Sequence, residues 1–330
     1  MNASFQRMMS EATRLTQAGD LHAATAAIQA ALGRQADDVI DVEAREIGPR
    51  TADVVDAPPH AGQFVAGRHA EAGLSRDYKL YLPPGTPDKP LPLIVMLHGC
   101  KQDPDDFAAG TRMNEAALEQ GFIVLYPAQA QGANPSRCWN WFKHNHQGRG
   151  RGEPALLAGM TREVMKRHAV DERRVYVAGL SAGGAMAAIV GAAYPDLFAA
   201  VGVHSGLPVG SAHDVKSAFA AMQHGAPAAT AAAAPPTIVF HGDRDTTVHP
   251  RNGDQVAAAR AGAAAPEVER GPGYTRRVYR DADTVRAEHW TLHGVGHAWS
   301  GGSPRGSFTD PRGPDATEEM LRFFRSNARP

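Results

Sequence analysis

Between residues 91 and 243 the chain repeatedly rises into a short apolar run and stops at a turn: LPLIVMLHG, GFIVLYP, RRVYVAGLS, AAVGVHSG and PTIVFHGD. Each run has strand length and lacks the apolar/polar alternation of a strand with one wet face, so each reads as a strand covered on both sides. The segments between most of them, such as 105–120, 153–169 and 183–193, have the length and texture of helices. Strands alternating with helices require a mostly parallel central sheet covered by helices on both faces, which is an α/β architecture.

The flanks are built differently. RDYKLYLP alternates as a half-exposed strand does, YTRRVYRDADTVRAEHWTLHG reads as a hairpin or strand pair, and DATEEMLRFFRSN is an amphipathic closing helix. Residues 211–236 are Ala-rich and of low complexity, which predicts a helix followed by a loose surface loop. Residues 1–33 read as a helix pair: Phe5, Met8, Met9, Ala12 and Leu15 share a stripe that Gly19-Asp20 interrupts and Leu21, Ala24, Ile28 and Leu32 resume. The pair looks like one unit of the tetratricopeptide kind, but no second copy follows, so no repeat array is expected. Residues 34–62 are acidic and Pro-dotted, as in a linker. The predicted organisation is therefore a small N-terminal helical extension (1–33), a linker (34–62) and an α/β domain (63–330).

Composition removes several classes of function. A formal net charge of -1 and a pI near 7.0 give no basic field for nucleic acid. No apolar run reaches about 18 residues, so no membrane span is expected. The stretch MNASFQRMMSEATRLTQAGD has no apolar core or small-residue cleavage site, so no secretory signal is read there and the expected location is the cytoplasm. Two cysteines cannot build a disulfide scaffold, and with no Cys/His spacing for zinc they leave one optional bridge and no metal.

The chemistry centres on VYVAGLSAGGAMAA. An apolar strand runs into Gly179-Leu180-Ser181-Ala182-Gly183, and a small-residue helix leaves it. This G-x-S-x-G pattern in a strand–turn–helix setting is a nucleophile elbow, and it puts the Ser181 hydroxyl at a helix N-terminus, where negative charge is favoured. A serine hydroxyl needs a base, itself oriented by a carboxylate. In the chain order Ser–acid–His, HGDRDTTV offers Asp243 and Asp245, and Asp245 is preferred because it lies a few residues past the strand end. Of fifteen histidines, His297 in HGVGHAWSGG is preferred as base. It lies on a late Gly-rich loop, whereas His293 is nearer the strand and His289 lies within it. The oxyanion donors expected are the N–H groups of Ala182, after the nucleophile, and of Cys100, on the turn VMLHGCKQD. His98 is expected to fix that turn by a hydrogen bond rather than to take part in chemistry.

Taken together, LHGCKQ, MNEAALEQGFIVLYPAQ, CWNWF, RVYVAGLSAGGAMA, HSGLP, HGDRDTTV and GHAWSGG closely resemble the esterase/polyhydroxybutyrate (PHB) depolymerase family of the α/β-hydrolase superfamily. The resemblance covers roughly residues 64–327. It implies a Ser-His-Asp carboxylic-ester hydrolase with Ser181, Asp245 and His297 as its triad and no metal or cofactor. Many members of that family are secreted, so an extracellular or periplasmic location is the alternative to the cytoplasm. Extracellular depolymerases carry a polymer-binding domain after the catalytic one, and this sequence ends soon after its closing helix. Short-chain or hydroxyalkanoate oligomer esters are therefore expected as substrates, with feruloyl or acetylxylan esters as the alternative.

The resemblance also gives a reading of CWNWF. A Cys100–Cys138 bridge would pin this loop beside Ser181; closing a loop of about 38 residues is worth about 3–4 kcal/mol in the chain-entropy model. Trp139 and Trp299 would then wall the substrate site, with Trp141 in the core. The bland alternative is two free thiols and core tryptophans. Two other functions compete with this one: a peptidase, for which no lid or propeller domain is visible, and a non-catalytic ligand- or granule-binding protein, against which the full set Ser181, Asp245 and His297 argues. The helix pair 1–33 would pack against the main domain or a second copy, or dock on a polymer granule.

Overall fold

The structure is a computed structural model that describes residues 62–85, 89–226, 234–260 and 265–329. The expected helix pair and linker lie outside the described residues, apart from Gly62.

A 10-stranded sheet organises the domain, in the order β1-β2-β4-β3-β5-β6-β7-β10-β9-β8. Its centre is β4 (Ile123–Pro127), β3 (Leu91–Leu97), β5 (Val170–Leu180), β6 (Ala200–His204), β7 (Thr237–Gly242) and β10 (Thr284–Leu292), all parallel. These are the apolar runs read from the sequence, together with the second strand of the late pair. Antiparallel strands close both sides: β2 (Leu74–Leu82) and β1 (Gln63–Glu71) at one end, β9 (Tyr274–Asp281) and β8 (Glu267–Gly271) at the other.

The two-residue period of a strand divides the core into two layers. Leu93, Val95 and Leu97 of β3 face one layer with Val175 and Val177 of β5, covered by α3 (Gly152–Arg167), α4 (Ala182–Ala193) and α6 (Arg251–Ala258). Ile94 and Met96 face the other with Tyr176 and Ala178, covered by α1 (Pro104–Thr111), α2 (Met113–Gln120) and α7 (Ala316–Arg325). Within α7, Met320, Leu321, Phe323 and Phe324 are buried, and Phe324 stacks on Tyr176 at 4.7 Å. One further helix, α5 (Val215–His224), follows β6, as the Ala-rich stretch led one to expect.

Two local features depart from the sequence reading. The helix expected over 105–120 is two helices, because Arg112 takes a left-handed conformation (φ 54°) between them and reaches across to Asp315. The edge strands β1 and β8 had no signal, since both are largely exposed. No helix among the described residues is long and apolar enough to cross a membrane.

Candidate active site

Strand β5 delivers Ser181 directly into the N-terminus of α4, and the turn is too tight for ordinary backbone geometry. Ser181 has φ 57° and ψ -119°, a conformation that L-residues avoid and that marks a site where the surroundings impose it. A Cβ on Gly179 would come within 2.5 Å of the Gly183 backbone, and one on Gly183 within 2.0 Å of the Leu97 carbonyl oxygen. The two glycines of the motif are thus required by the close approach of β3 and α4. The Ser181 N–H donates to the His204 carbonyl at 2.8 Å, tying the turn to the end of the next strand.

Asp245 and His297 follow β7 and β10, so both emerge at the same carboxyl edge of the parallel strands as Ser181. His297 Nδ1 is 2.7 Å from Asp245 Oδ2. The other carboxylate oxygen accepts from the N–H groups of Thr247 (2.9 Å) and Val248 (2.8 Å). Burial of Asp245 opposes its charge, but hydrogen bonding from His241 and His297 outweighs burial and holds the carboxyl well below the usual carboxylate range. The rival candidates partner each other instead. Asp243 bonds His293 Nδ1 at 3.0 Å and the Gly294 N–H at 2.7 Å, which closes an exposed turn. His289 is buried within β10.

Cys100 and Cys138 form a disulfide. Both line a cavity of about 220 Å3 together with Ser181, Ala182, Trp141, Phe142, Leu207, Val248 and the α5 side chains Val215, Ala218, Phe219 and Met222. Among the described residues no charged side chain lines it. Apart from the Ser181 hydroxyl and the Trp141 indole, its lining side chains are aliphatic, phenyl or sulfur groups.

Neither of the two tryptophans expected to wall the site lines this cavity. Trp139 is fully buried, with its ring 5.8 Å from that of His98 and outside the cavity lining. Trp299 is also buried, stacked on His204 at 5.0 Å and edge-on to Phe107, with its indole N–H donated to Thr317. Trp141 is in the core, as expected, and its indole also forms part of the cavity wall. Asn140, between Trp139 and Trp141 in sequence, is held by Glu153, which had no sequence signal. Its carboxylate accepts from the Asn140 N–H (2.7 Å), the Asn140 side-chain amide (2.8 Å) and Gln129 (2.6 Å), and lies 3.4 Å from Arg76. Asn140 is thereby held in the interior. At the N-terminus of α3 the helix dipole also favours this buried carboxylate.

The turn after β3 is held as tightly. The His98 imidazole is 2.7 Å from the Gly99 carbonyl and accepts the Gln129 N–H at 3.1 Å, while Gln102 accepts the Gly99 N–H at 2.9 Å.

Comparison with known proteins fits this geometry. A family model described as Esterase PHB depolymerase matches residues 76–274. The chain belongs to this family. Among curated relatives, poly(3-hydroxyalkanoate) depolymerase C of Paucimonas lemoignei is 33% identical over 237 residues, covering 66% of this chain and 57% of that protein. Feruloyl esterase B of Thermothelomyces thermophilus is 28% identical over 244 residues, covering 66% and 82%. An acetyl xylan esterase from Aspergillus awamori superposes with a TM-score of 0.65 at 20% identity, covering 79% of this chain and 98% of that one. That superposition, with the mostly parallel sheet, gives the fold as that of an α/β-hydrolase. The chain spans little more than half the length of the depolymerase it matches.

Proposed function

We propose that this PHB depolymerase-family chain is a serine-dependent carboxylic-ester hydrolase that cleaves short-chain or hydroxyalkanoate oligomer esters through an acyl-enzyme. The observation that carries the reading is the strained Ser181 turn opening onto an apolar cavity, with the hydrogen-bonded Asp245–His297 pair at the same edge of the sheet.

In this reading the Ser181 oxygen attacks the ester carbonyl carbon while His297 takes its proton. The carbonyl π electrons move onto oxygen, where the N–H groups of Ala182 and Cys100 stabilise the charge. Collapse re-forms the carbonyl and expels the alkoxide, which leaves as an alcohol with the proton that His297 returns. Water, deprotonated by His297, repeats the cycle on the acyl-enzyme and releases the acid. Asp245 holds the imidazole with its proton on Nδ1, so that Nε2 is the basic nitrogen in the resting enzyme.

The cavity supports alkyl acyl groups over hydroxycinnamoyl ones. A feruloyl ring carries a phenol that loses its water hydrogen bonds on entry, and among the described lining side chains only the Trp141 indole, a donor, and the nucleophile could replace them. Contact with a polymer granule or a second copy through residues 1–33 belongs to the same proposal, and deletion of those residues tests it by granule sedimentation and by oligomeric state.

The central experiment is hydrolysis of p-nitrophenyl butyrate with labelling by a fluorophosphonate. Wild type should turn over and label, and Ser181→Ala should lose activity by on the order of 10³-fold or more and fail to label. A folded Ser181→Ala protein that keeps most of its activity would falsify the assignment. Wild-type protein that is folded and inert to both reagents would favour a binding protein.

A further inference from the structure

Three buried histidines stand at the carboxyl ends of three parallel strands, and each grips the main chain of a different part of the site. His98 immediately follows β3, His204 ends β6 and His241 lies one residue from the end of β7; all three are at most 1% exposed. None of them is among the residues that carry out the chemistry proposed above.

At His98, Nε2 accepts the Gln129 N–H, so the proton is on Nδ1 and is donated to the Gly99 carbonyl. That carbonyl and the Cys100 N–H are the two ends of one planar trans peptide and point in opposite directions. Clamping the carbonyl therefore sets the direction of the N–H that would face the oxyanion. At His204, Nε2 accepts the Ser300 N–H at 3.1 Å, three residues beyond His297, while the His204 main-chain carbonyl accepts the Ser181 N–H at 2.8 Å. Its ring is stacked against Trp299 and Phe240. One residue thus couples the nucleophile turn to the loop of the base. At His241, Nε2 donates to the Val248 carbonyl at 2.8 Å and lies 3.4 Å from Asp245 Oδ2, bracing the loop of the acid. Burial lowers the proton affinity of His98, and pushes that of His204 down to about 3. Both therefore stay neutral and can accept from an N–H, which an imidazolium cannot do.

We propose that His98, His204 and His241 are positioning residues, serving respectively the Cys100 oxyanion donor, the His297 base and the Asp245 acid. This rests on the ester-hydrolase reading of Ser181, Asp245 and His297. It differs from ordinary core packing in requiring one particular ring nitrogen at each position.

Amide substitutions test that requirement, since Asn places a polar atom near the position of Nδ1 and Gln near that of Nε2. The matched variants are His98→Asn, His204→Gln and His241→Gln; the mismatched ones are His98→Gln, His204→Asn and His241→Asn. Each is assayed with p-nitrophenyl butyrate below its melting temperature, and the His98 pair also for affinity to a trifluoromethyl ketone, whose hemiketal oxygen probes the oxyanion site. Matched variants should keep kcat within about fivefold of wild type, and mismatched variants should lose about 10²-fold in kcat with KM nearly unchanged, the size of effect seen when one oxyanion donor is lost. In the His98 pair, ketone affinity should follow kcat. Equal kcat in folded matched and mismatched variants overturns the proposal. Where a mismatched variant does not fold, the matched one decides: a loss of more than tenfold overturns the proposal at that position, and retention supports it. Ser181→Ala is run alongside. If it stays active, the hydrolase reading fails; if it is inactive while the histidine pairs are indistinguishable, only this inference fails.

Discussion

Asp245 presents one carboxylate oxygen to His297 at 2.7 Å and commits the other to the backbone N–H groups of Thr247 and Val248. The carboxylate is fixed from both sides, so the imidazole is oriented by a group that cannot rotate away. Asp245→Asn keeps the shape but can turn an N–H toward Nδ1, which favours the wrong tautomer. We expect kcat on p-nitrophenyl butyrate to fall by about 10³–10⁴-fold, with a small change in KM and a preserved fold. Asp243→Asn, which disturbs only the exposed pair with His293, should change kcat less than about twofold. Steady-state kinetics of the two variants side by side checks both statements, and a reversal of their ranking would return the acid to Asp243.

Glu153 is fully buried and holds the Trp loop by its bonds to Asn140 and Gln129, with Arg76 as its buried counter-charge. Glu153→Ala leaves the Arg76 guanidinium without that partner and frees Asn140. Removing one member of a buried pair costs about 3–5 kcal/mol, and urea denaturation should show a loss of this order. Because Trp141 sits one residue beyond Asn140, KM should rise as well. Glu153→Gln retains one acceptor oxygen and should fall between wild type and Glu153→Ala.

Much of this site was legible because strands and tight turns write locally. The apolar runs that became β3 to β7 are covered on both faces, so their composition reports their burial. The elbow requires Gly179 and Gly183 at fixed offsets from Ser181, so its pattern is readable without coordinates. What was not legible depends on partners distant in sequence. Trp139 and Trp141 are two positions apart with equivalent neighbours in sequence and both are buried; only the folded loop, held at Asn140 by Glu153, 13 residues beyond it, puts Trp141 and not Trp139 on the cavity. Arg112 breaks the helix at 111–113 while paired with Asp315, about 200 residues away. His204 and His241 look like apolar-run residues that happen to be polar, and only the register of β6 and β7 beside their loops gives them partners. The edge strands β1 and β8 carry mostly exposed side chains and so lack the pattern that marks a core strand.

The titration of buried groups sets the direction of the acid response. Burial lowers the proton affinity of His98, and pushes His204 and His289 down to about 3. Unfolded histidines titrate near roughly 6.5. These groups therefore contribute stability that is fully present above that pH and lost as pH falls toward their folded values, because the unfolded chain takes up protons the native state refuses. Asp245, Glu153 and Glu288 are held below the usual carboxylate range in spite of burial, each by its hydrogen-bonding partners. They add a second loss of the same sign, beginning below roughly pH 4. The melting temperature should thus start to decline below about pH 6.5 and decline more steeply below about pH 4. The ring nitrogens of His289 make no hydrogen bond among the described residues, so His289→Leu should flatten the upper part of the slope. A melting temperature independent of pH between 4 and 6.5 would contradict this account.

Trp139 and Trp141 are both buried in one loop, but Trp141 also lines the cavity beside Ser181. Trp139 is completely enclosed and packs against His98, whereas Trp141 meets Phe142 edge-on at 5.7 Å and forms part of the cavity beside Ser181. Trp139→Ala opens a void in the core and should cost about 3–5 kcal/mol by urea denaturation. In the protein that remains folded, its KM should stay close to that of wild type. Trp141→Ala enlarges the cavity beside Ser181. Trp141 is itself buried, so this variant should also lose stability, but it should in addition shift preference, with kcat/KM for p-nitrophenyl hexanoate rising relative to butyrate by about tenfold, the worth of one or two methylene groups of apolar contact. Two variants with the same chain-length profile would show that neither indole meets the acyl group and would move the acyl site away from this cavity.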